Sequence, residues 1–317
     1  MTDRPRVVAL GGGHGLATSL QALRRVTPHL TAIVTVADDG GSSGRLRGEL
    51  GILPPGDLRM ALSALAGQDE RAEVWERLLQ HRFPGQGPLA GHAVGNLLLA
   101  GLTDTEGDIV PALDRVGELL GGTGRVLPAS RVPLEICAQV TGLGDTPDSL
   151  VEVRGQVAVA TTAGAVAAIE LRPKDPPACE EAVEAVLAAD WVVLGPGSWF
   201  TSVLTHLLVP GLRAALEQTP ARLVVALNLA PQAGETSGFS PEAHLDVLLA
   251  HAPLLAIDVV LADTASVVDT HGLLSAVEAC GARLVLAPVA RGDGTPRHDP
   301  RLLGAAYDSI FSGAAWR

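Results

Sequence analysis

Residues 35–59 combine acidic, small and basic side chains in an order that suits a polar, phosphorylated ligand. The segment reads TVADDGGSSGRLRGELGILPPGDLR, in which two carboxylates follow an apolar run and two arginines follow the glycines and serines. Glycines let the backbone approach a ligand, consecutive N–H groups form an anion-binding nest, and arginine grips phosphate with two parallel hydrogen bonds. The residues expected to contact the ligand are Asp38, Asp39, Gly41, Ser42, Ser43 and Arg45. A long surface turn with a solvated charge pair is the alternative interpretation.

A glycine-rich loop near the N-terminus has the character of a phosphate loop. Residues 11–15 read GGGHG and stand between an apolar strand and a helical pattern, where N–H groups and a helix N-terminus can meet an anion. The loop is not a dinucleotide fingerprint, because the third glycine position of that motif falls on Leu16. The residues expected to bind phosphate here are Gly11, Gly12, Gly13 and His14. A glycine turn required only for packing is the alternative.

Two further loops follow strands later in the chain and carry polar groups. Gly195, Gly197 and Ser198 come after an apolar strand, and Asn228 begins the polar segment after the next strand. Ligands of open parallel sheets bind outside the carboxyl ends of the strands, so these loops and the first glycine loop are expected to share one crevice. Asn228, Gln232, Glu235 and Thr236 offer the selective hydrogen bonding that a base or a sugar needs, and a solvated loop is the alternative. Ser198 either bonds a phosphate or only caps the following helix.

The candidate catalytic groups are Asp38, Asp39 and His92, none of which belongs to a recognisable catalytic motif. The two aspartates could hold Mg²⁺ beside a phosphate, although neighbouring side chains on an extended segment point apart. His92 and Asn96 share a helical face beside two glycines, which suits either a ligand contact or an ordinary structural histidine. Arg297 precedes His-Asp-Pro and is expected to reach a phosphate.

The composition excludes several classes of partner. The chain has 317 residues, a net charge of −12 and no lysine- or arginine-rich run, so neither nucleic acid nor an anionic membrane is expected to bind. No apolar run reaches the roughly 18 residues of a membrane span, and the N-terminus lacks a signal-peptide pattern, so a cytoplasmic protein is expected. The 3 cysteines lack paired metal spacing and are expected to be reduced thiols.

The elements that must position these groups alternate along the chain. Apolar runs predict strands at residues 6–10, 31–37, 191–194, 223–227, 255–261 and 283–286. Helical spacing predicts helices at 16–26, 179–188, 273–279 and from 241, and a mostly helical excursion over residues 57–122. Residues 125–171 have a strand-like texture. We predict a single α/β domain over residues 1–317, with a Rossmann-like, mainly parallel sheet and helices on both faces.

The glycine-rich and polar loops described above also resemble those of a known protein family. The motifs GGGHGL, TVADDGGSSGRLR, GILPPGDLR, GHAVGN, LGPGSWFTS, NLAPQAGETSGFS and RHDP occur in this order between Gly11 and Pro300. They resemble the YvcK family of gluconeogenesis factors, or uridine diphosphate-N-acetylglucosamine-binding proteins, which is related to the CofD-type 2-phospho-L-lactate transferases.

The resemblance implies a nucleotide-sugar-binding protein that influences cell shape, cell-wall synthesis and growth on gluconeogenic carbon sources. Motif for motif, the ligand-binding positions of the family fall on glycines 11 to 13, on Asp38, on residues 195–198 and on Asn228. One departure bears on the ligand, because Val277 stands where many relatives carry a tyrosine.

Two functions stay open from the sequence. The favoured one is a regulator that binds a UDP-sugar without turnover, requires no cofactor, acts through a protein partner and forms a homo-oligomer. The alternative is a transferase that moves a phosphorylated group from a nucleotide donor with the help of Mg²⁺. A dinucleotide-dependent oxidoreductase is weaker than either, because the glycine fingerprint is broken at Leu16.

Overall fold

Parallel β-strands form the centre of the molecule. The computed structural model describes residues 4–232 and 234–313. The strands of this part of the chain are β1 (Val7–Gly11), β2 (Leu30–Val34), β3 (Arg125–Pro128), β4 (Glu135–Thr141), β5 (Val151–Arg154), β6 (Ala165–Arg172), β7 (Trp191–Leu194), β8 (Arg222–Ala226), β9 (Val259–Asp263) and β10 (Arg283–Ala287). Over the described residues they form a 7-stranded parallel sheet in the order β10-β9-β8-β7-β1-β2-β3 and a 3-stranded antiparallel sheet in the order β5-β4-β6.

Helices connect the strands of the parallel sheet. They are α1 (Gly13–Leu23), α2 (Gly41–Leu50), α3 (Pro55–Leu65), α4 (Glu70–Gln80), α5 (Val94–Glu106), α6 (Ile109–Leu119), α7 (Gln156–Ala160), α8 (Glu180–Ala188), α9 (Pro210–Gln218), α10 (Pro241–His251), α11 (Thr270–Ala279) and α12 (Pro300–Ser312). A π-helical turn at Trp199–Val203 and a 3₁₀ turn at Leu204–Leu208 follow β7. This alternation confirms the predicted Rossmann-like α/β fold.

The central strands are apolar along their whole length because helices and loops cover both of their faces. Every residue of β1, β7 and β9 is buried, as expected for strands of a parallel sheet. The small antiparallel sheet differs, since β5 and β6 alternate between covered and exposed side chains. The strand-like texture predicted for residues 125–171 therefore divides between one edge strand of the large sheet and the whole of the small one.

The strand order changes direction at β1. From β1 the chain moves outward through β2 and β3, and it later returns to the other side of β1 with β7 and continues outward to β10. Gly11 pairs with Val34 of β2, and Leu10 pairs with Leu194 of β7, so β1 and β7 end side by side. Such a switch point opens a crevice at the carboxyl ends of the strands.

Several predicted boundaries were wrong. Residues 41–50, interpreted as part of a long loop, form α2, which buries Leu46 and ends at Gly51 with a left-handed φ of +66°. The strand predicted at 31–37 ends at Val34, because Val36 continues only as irregular backbone whose carbonyl accepts the N–H of Leu134. The strand predicted at 255–261 begins at Val259, where pairing with Arg283 starts.

The helix that begins at the first glycine loop is fixed from behind by the last helix. The hydroxyls of Ser19 in α1 and Tyr307 in α12 are hydrogen-bonded at 3.0 Å, and both side chains are buried. A Cβ added to Gly304 of α12 would lie 3.0 Å from the Ala22 carbonyl oxygen, so α12 lies directly against α1. This pairing sets the direction in which the N-terminus of α1 points.

We expect Tyr307→Phe to lower the free energy of unfolding by about 1–3 kcal/mol, because the buried Ser19 hydroxyl loses its partner. The double variant Ser19→Ala/Tyr307→Phe removes both polar groups and should lose less than the sum of the two single variants. Urea unfolding of the four proteins measures this cycle. Strictly additive losses would show that the two hydroxyls do not stabilise each other.

Candidate functional site

The two glycine loops touch each other at the switch point. A Cβ added to Gly15 would lie 2.3 Å from the Pro196 carbonyl oxygen and 2.7 Å from the Gly197 Cα. Both neighbours are backbone atoms, which have little room to move. Gly15 is therefore required for packing, and the closeness of the loops brings the N-terminus of α1 beside the loop after β7.

A cavity of about 890 Å³ opens beside this contact. Its volume falls in the range of small-molecule sites. Seven predicted ligand residues line it, namely Gly12, Gly13, His14, Gly197, Ser198, Asn228 and Arg297. The further polar residues of its wall include Thr18, Gln21, Asp57, Gln156, Thr201, Ser202, Gln232, Arg291 and His298. The predicted crevice between the loops after β1, β7 and β8 is thus present in the structure.

Asn228 holds the shape of the loop after β7. Its Oδ1 accepts the N–H of Gly197 at 3.0 Å, and its Nδ2 donates to the carbonyl of the same residue at 2.8 Å. Both polar ends of the amide are therefore engaged with the backbone of one residue, Gly197. We predicted a base or sugar contact from Asn228, and the structure gives it a positioning contact at the cavity wall.

The Ser198 side chain lines the cavity, and its hydroxyl is hydrogen-bonded to the Glu235 carboxylate. It precedes the π-helical turn without capping it, and Gln232 Nε2 donates to its Oγ at 3.4 Å. The capping function is performed by Glu235, which accepts the N–H of Phe200 at 2.9 Å and the hydroxyl of Thr201 at 2.6 Å. Burial raises the pKa of Glu235, and these hydrogen bonds oppose the rise.

Asp57 is a site residue that the sequence analysis missed. It lies in the first turn of α3, where an acid is typical of any helix N-terminus, so its spacing gave no signal of a cavity. A Cβ added to Gly12 would lie 2.7 Å from Asp57 Oδ2, and the carboxylate accepts a hydrogen bond from the backbone of Gly13. Burial, and then the charge of Asp38, raise the pKa of Asp57 to about 7.

The adjacent residues Asp38 and Asp39 accept hydrogen bonds from different parts of the chain. Asp38 Oδ1 accepts the N–H of Gly40 at 2.9 Å, while Asp39 Oδ1 accepts the N–H of Val157 at 3.0 Å across the chain. The charge of Asp38 acts on Asp57, and the two carboxylates lie at neighbouring glycines, Asp38 at Gly56 and Asp57 at Gly12. Within residues 4–232 and 234–313 no group of three or more metal-ligating side chains occurs. Mg²⁺ held by Asp38 and Asp39 stays a prediction.

His92 belongs to a buried hydrogen-bond chain that does not line the cavity. Its Nδ1 lies 2.9 Å from Ser42 Oγ, which accepts from Asn96 Nδ2 at 3.0 Å. The Asn96 Oδ1 in turn accepts from Arg59 Nε at 2.8 Å, and Arg59 also donates to Gln80. Burial, and then Arg45, lower the pKa of His92, so the neutral ring is favoured. This geometry supports the structural interpretation of His92, Ser42 and Asn96.

The remaining predicted residues lie outside the cavity lining. Arg45 donates to the carbonyl oxygens of Ala90 at 2.7 Å and Pro88 at 3.4 Å, so its guanidinium braces the segment before α5. Gly11 lies against Leu16, and Gly195 lies against the Ala226 carbonyl. Gly41 starts α2 with a φ of +48°, and Ser43 lies against Gly56.

Two arginines stand at the third wall of the cavity. The loop that carries them is shaped by the backbone N–H of Arg291, which donates to the Arg297 carbonyl at 2.9 Å. Asp263 anchors this loop, because its Oδ1 accepts the N–H groups of Val289 at 2.8 Å and Ala290 at 3.0 Å. Only Arg297 was predicted, and Arg291 adds a second exposed cation to the same wall.

The departure from the family pattern lies away from this site. Val277 is fully buried in α11 and belongs to the hydrophobic core. It does not line the cavity, so the missing tyrosine leaves the cavity wall described above unchanged. No helix of the described residues has both the length and the apolar character needed to cross a bilayer.

Comparisons with known proteins find relatives in sequence and in structure. Residues 7–279 match the family model described as 2-phospho-L-lactate transferase CofD. A Mycobacterium tuberculosis protein provisionally named gluconeogenesis factor is 54% identical over 313 residues, covering 98% of this chain and 91% of the relative. The gluconeogenesis factor of Halalkalibacterium halodurans is 41% identical over 267 residues, covering 84% of this chain and 80% of the relative. A crystal structure of a UPF0052 family member from Bacillus halodurans is similar with a TM-score of 0.85 and 35% identity, covering 96% of this chain and 99% of that one.

The raised pKa of Asp57 predicts a pH-dependent stability. Between pH 4 and about 7 the unfolded chain ionises this carboxyl while the folded protein keeps it protonated, so the free energy of unfolding falls as the pH rises through this window. This loss of unfolding free energy is complete above about pH 7 and amounts to at most about 4 kcal/mol. Asp57→Asn should therefore gain stability over the native protein as the pH increases.

Thermal or urea unfolding between pH 5 and 8 measures this effect, with Asp104→Asn, at an exposed position on α5, as the matched control. The difference between Asp57→Asn and the native protein should grow toward pH 8. Parallel profiles for all three proteins would contradict the assigned pKa.

Proposed function

The chain belongs to the CofD family, together with the proteins named gluconeogenesis factors, and from this premise we propose that it binds a nucleotide sugar as a regulator. The ligand is a uridine diphosphate sugar such as UDP-N-acetylglucosamine. The bound state is read by a protein partner in the cytoplasm and controls cell shape, cell-wall synthesis and growth on gluconeogenic carbon. The match to the family model and the 54% identity to the mycobacterial relative support the family part of this proposal.

One observation carries the proposal, namely the cavity between two glycine loops at the switch point. The N-terminus of α1 opens into it, and the N-cap residue Gly12 offers no side chain that would occupy that end of the helix. Arg291 and Arg297 line the same cavity and supply positive charge in a chain whose net charge is −12. Phosphate between a helix N-terminus and guanidinium groups is held by charge-assisted hydrogen bonds.

The chemistry of the walls also suits a sugar. Ser198, Gln232 and Gln156 place a hydroxyl and two amides around the same volume. Gln156 comes from α7, which connects β5 to β6 of the small antiparallel sheet, so this part of the chain also contributes to the cavity wall. A cavity of about 890 Å³ has room for a ligand of nucleotide-sugar size.

We expect isothermal titration calorimetry to show tighter binding of UDP-N-acetylglucosamine than of NAD or GDP. Arg297→Ala should weaken this binding about tenfold or more, because a hydrogen bond to a charged group contributes roughly 1.5–3 kcal/mol. Arg213→Ala, at an exposed position on α9, removes the same charge outside the cavity lining and should bind like the native protein. Tight binding of NAD or GDP without binding of the uridine sugar would overturn the ligand assignment.

Transfer of a phosphorylated group is the second candidate function. The match to the transferase model favours it, and so does the pairing of Asp38 with Asp57 beside the helix N-terminus. These carboxylates would hold Mg²⁺, which supplies positive charge to a phosphate when it is bound. Asp57, with a pKa of about 7, can also take up or release a proton near neutral pH at the same wall.

The decision between regulator and enzyme rests on the fate of the bound sugar. We expect the purified protein to leave UDP-N-acetylglucosamine intact for hours, with or without Mg²⁺ and cell extract, because the base candidate His92 is held in a buried hydrogen-bond chain that does not line the cavity. Mass spectrometry of the incubated ligand measures this. Release of UDP or UMP that disappears in Asp38→Asn and Asp57→Asn, but persists in Asp104→Asn, would establish the transferase instead.

A further inference from the structure

A second cavity lies where the end of α1 approaches the start of α12. Its volume is about 630 Å³, and its polar lining consists of Gln21, Arg24, Arg25, Gln68, Asp299 and Arg301. We call it the arginine cavity. Gln21 lines both this cavity and the nucleotide-sugar site, but neither Arg291 nor Arg297 reaches it. The arginine cavity is therefore a neighbour of the first site with its own set of cations.

Positive charge dominates the arginine cavity. Among the residues that the structure describes, neither Arg24 nor Arg25 forms a salt bridge. The carboxylate of Asp299 accepts the N–H groups of Arg301 at 2.7 Å and Leu302 at 3.3 Å and lies 3.8 Å from Arg301 Nε. One carboxylate thus faces three guanidinium groups, in a chain whose net charge is −12.

One of the three cations is held at a fixed place. Arg24 Nη1 donates to the Ala64 carbonyl oxygen at 3.0 Å, and the side chain is half-buried between α1 and α3. Burial, and then the charge of Arg25, lower the pKa of Arg24. Two neighbouring cations without a counterion repel each other, and a bound anion would relieve that repulsion.

The two helices beside the arginine cavity, α1 and α12, are held together by their own contacts. The buried hydrogen bond between Ser19 and Tyr307 and the close approach of Gly304 to the Ala22 carbonyl fix α1 against α12. Arg25 is part of this packing, since its Cδ would lie 3.6 Å from a Cβ on Gly304. Guanidinium groups on a fixed frame lose less freedom when they bind an anion, which favours affinity.

We propose that the arginine cavity binds a compact polyanion, a small molecule that carries two or more phosphate or carboxylate groups. Three guanidinium groups, two from the residues directly after α1 and one from the first turn of α12, line one concavity, and each of them can make two parallel hydrogen bonds to such a group. A small ligand fits better than an extended one, because the net charge of −12 repels nucleic acid or an acidic protein outside the cavity.

Inorganic pyrophosphate at constant ionic strength is the probe, and calorimetric titration is the measurement. The variant Arg25→Gln/Arg301→Gln changes two exposed side chains, so the fold should persist, and its thermal unfolding checks this. We expect pyrophosphate to bind it at least tenfold more weakly than the native protein. The variant Arg71→Gln/Arg283→Gln removes the same charge at exposed positions outside both cavities and should bind like the native protein.

Arg297→Ala separates this site from the nucleotide-sugar site. A pyrophosphate site should persist in this variant, and the single variant Arg301→Gln should weaken that site. The proposal is overturned if the native protein does not bind pyrophosphate, if Arg297→Ala abolishes all binding, or if the two double variants behave alike. If the double variant Arg25→Gln/Arg301→Gln is unfolded, the result for Arg301→Gln decides, and binding equal to that of the native protein refutes the proposal.

Discussion

Gly15 and the Pro196 carbonyl oxygen lie so close that only a hydrogen atom fits between the first glycine loop and the loop after β7. This contact depends on β1 and β7 ending in register, and on Asn228 holding the backbone N–H and carbonyl of Gly197. It places two parts of the cavity lining relative to each other, since α1 starts from the first loop and the π-helical turn starts from the second. A side chain at position 15 would separate the two halves of the site before it could affect any ligand.

The electrostatics of the cavity are unusual for a phosphate site, because a carboxylate stands at the helix N-terminus. Asp57 accepts a backbone hydrogen bond from Gly13, a group that would otherwise be available to an anion. An ionised Asp57 repels phosphate, whereas a protonated or metal-bound Asp57 does not. The charge of this one group therefore decides whether the loop after β1 can accept a diphosphate. A regulator that binds a diphosphate and a transferase that binds one would both depend on the charge of Asp57 in this way.

The sequence predicted what local patterns determine, namely the alternation of strands and helices, the parallel sheet and the meeting of the glycine loops at its carboxyl edge. It could not predict which individual residues of distant segments are hydrogen-bonded to each other. The hydrogen bond from Val157 to Asp39 spans 118 residues, and nothing near Asp39 indicates it. Asp57 was missed because an acid in the first turn of a helix is common, and α2 was missed because its glycines and serines resemble a loop.

The segment at residues 35–59 carries the longest family motif. Its side chains mainly form hydrogen bonds that connect separate parts of the fold. Asp39 reaches the insertion through Val157, Ser42 enters the buried chain with His92, and Arg45 binds carbonyls ahead of α5. Asp57, at the end of the segment, lines the cavity, and the charge of Asp38 acts on it from outside the lining. Each of these neighbours demands a different side chain, which explains why the motif is long and chemically mixed. A loop that merely held a ligand would need the glycines and arginines but not this division of partners.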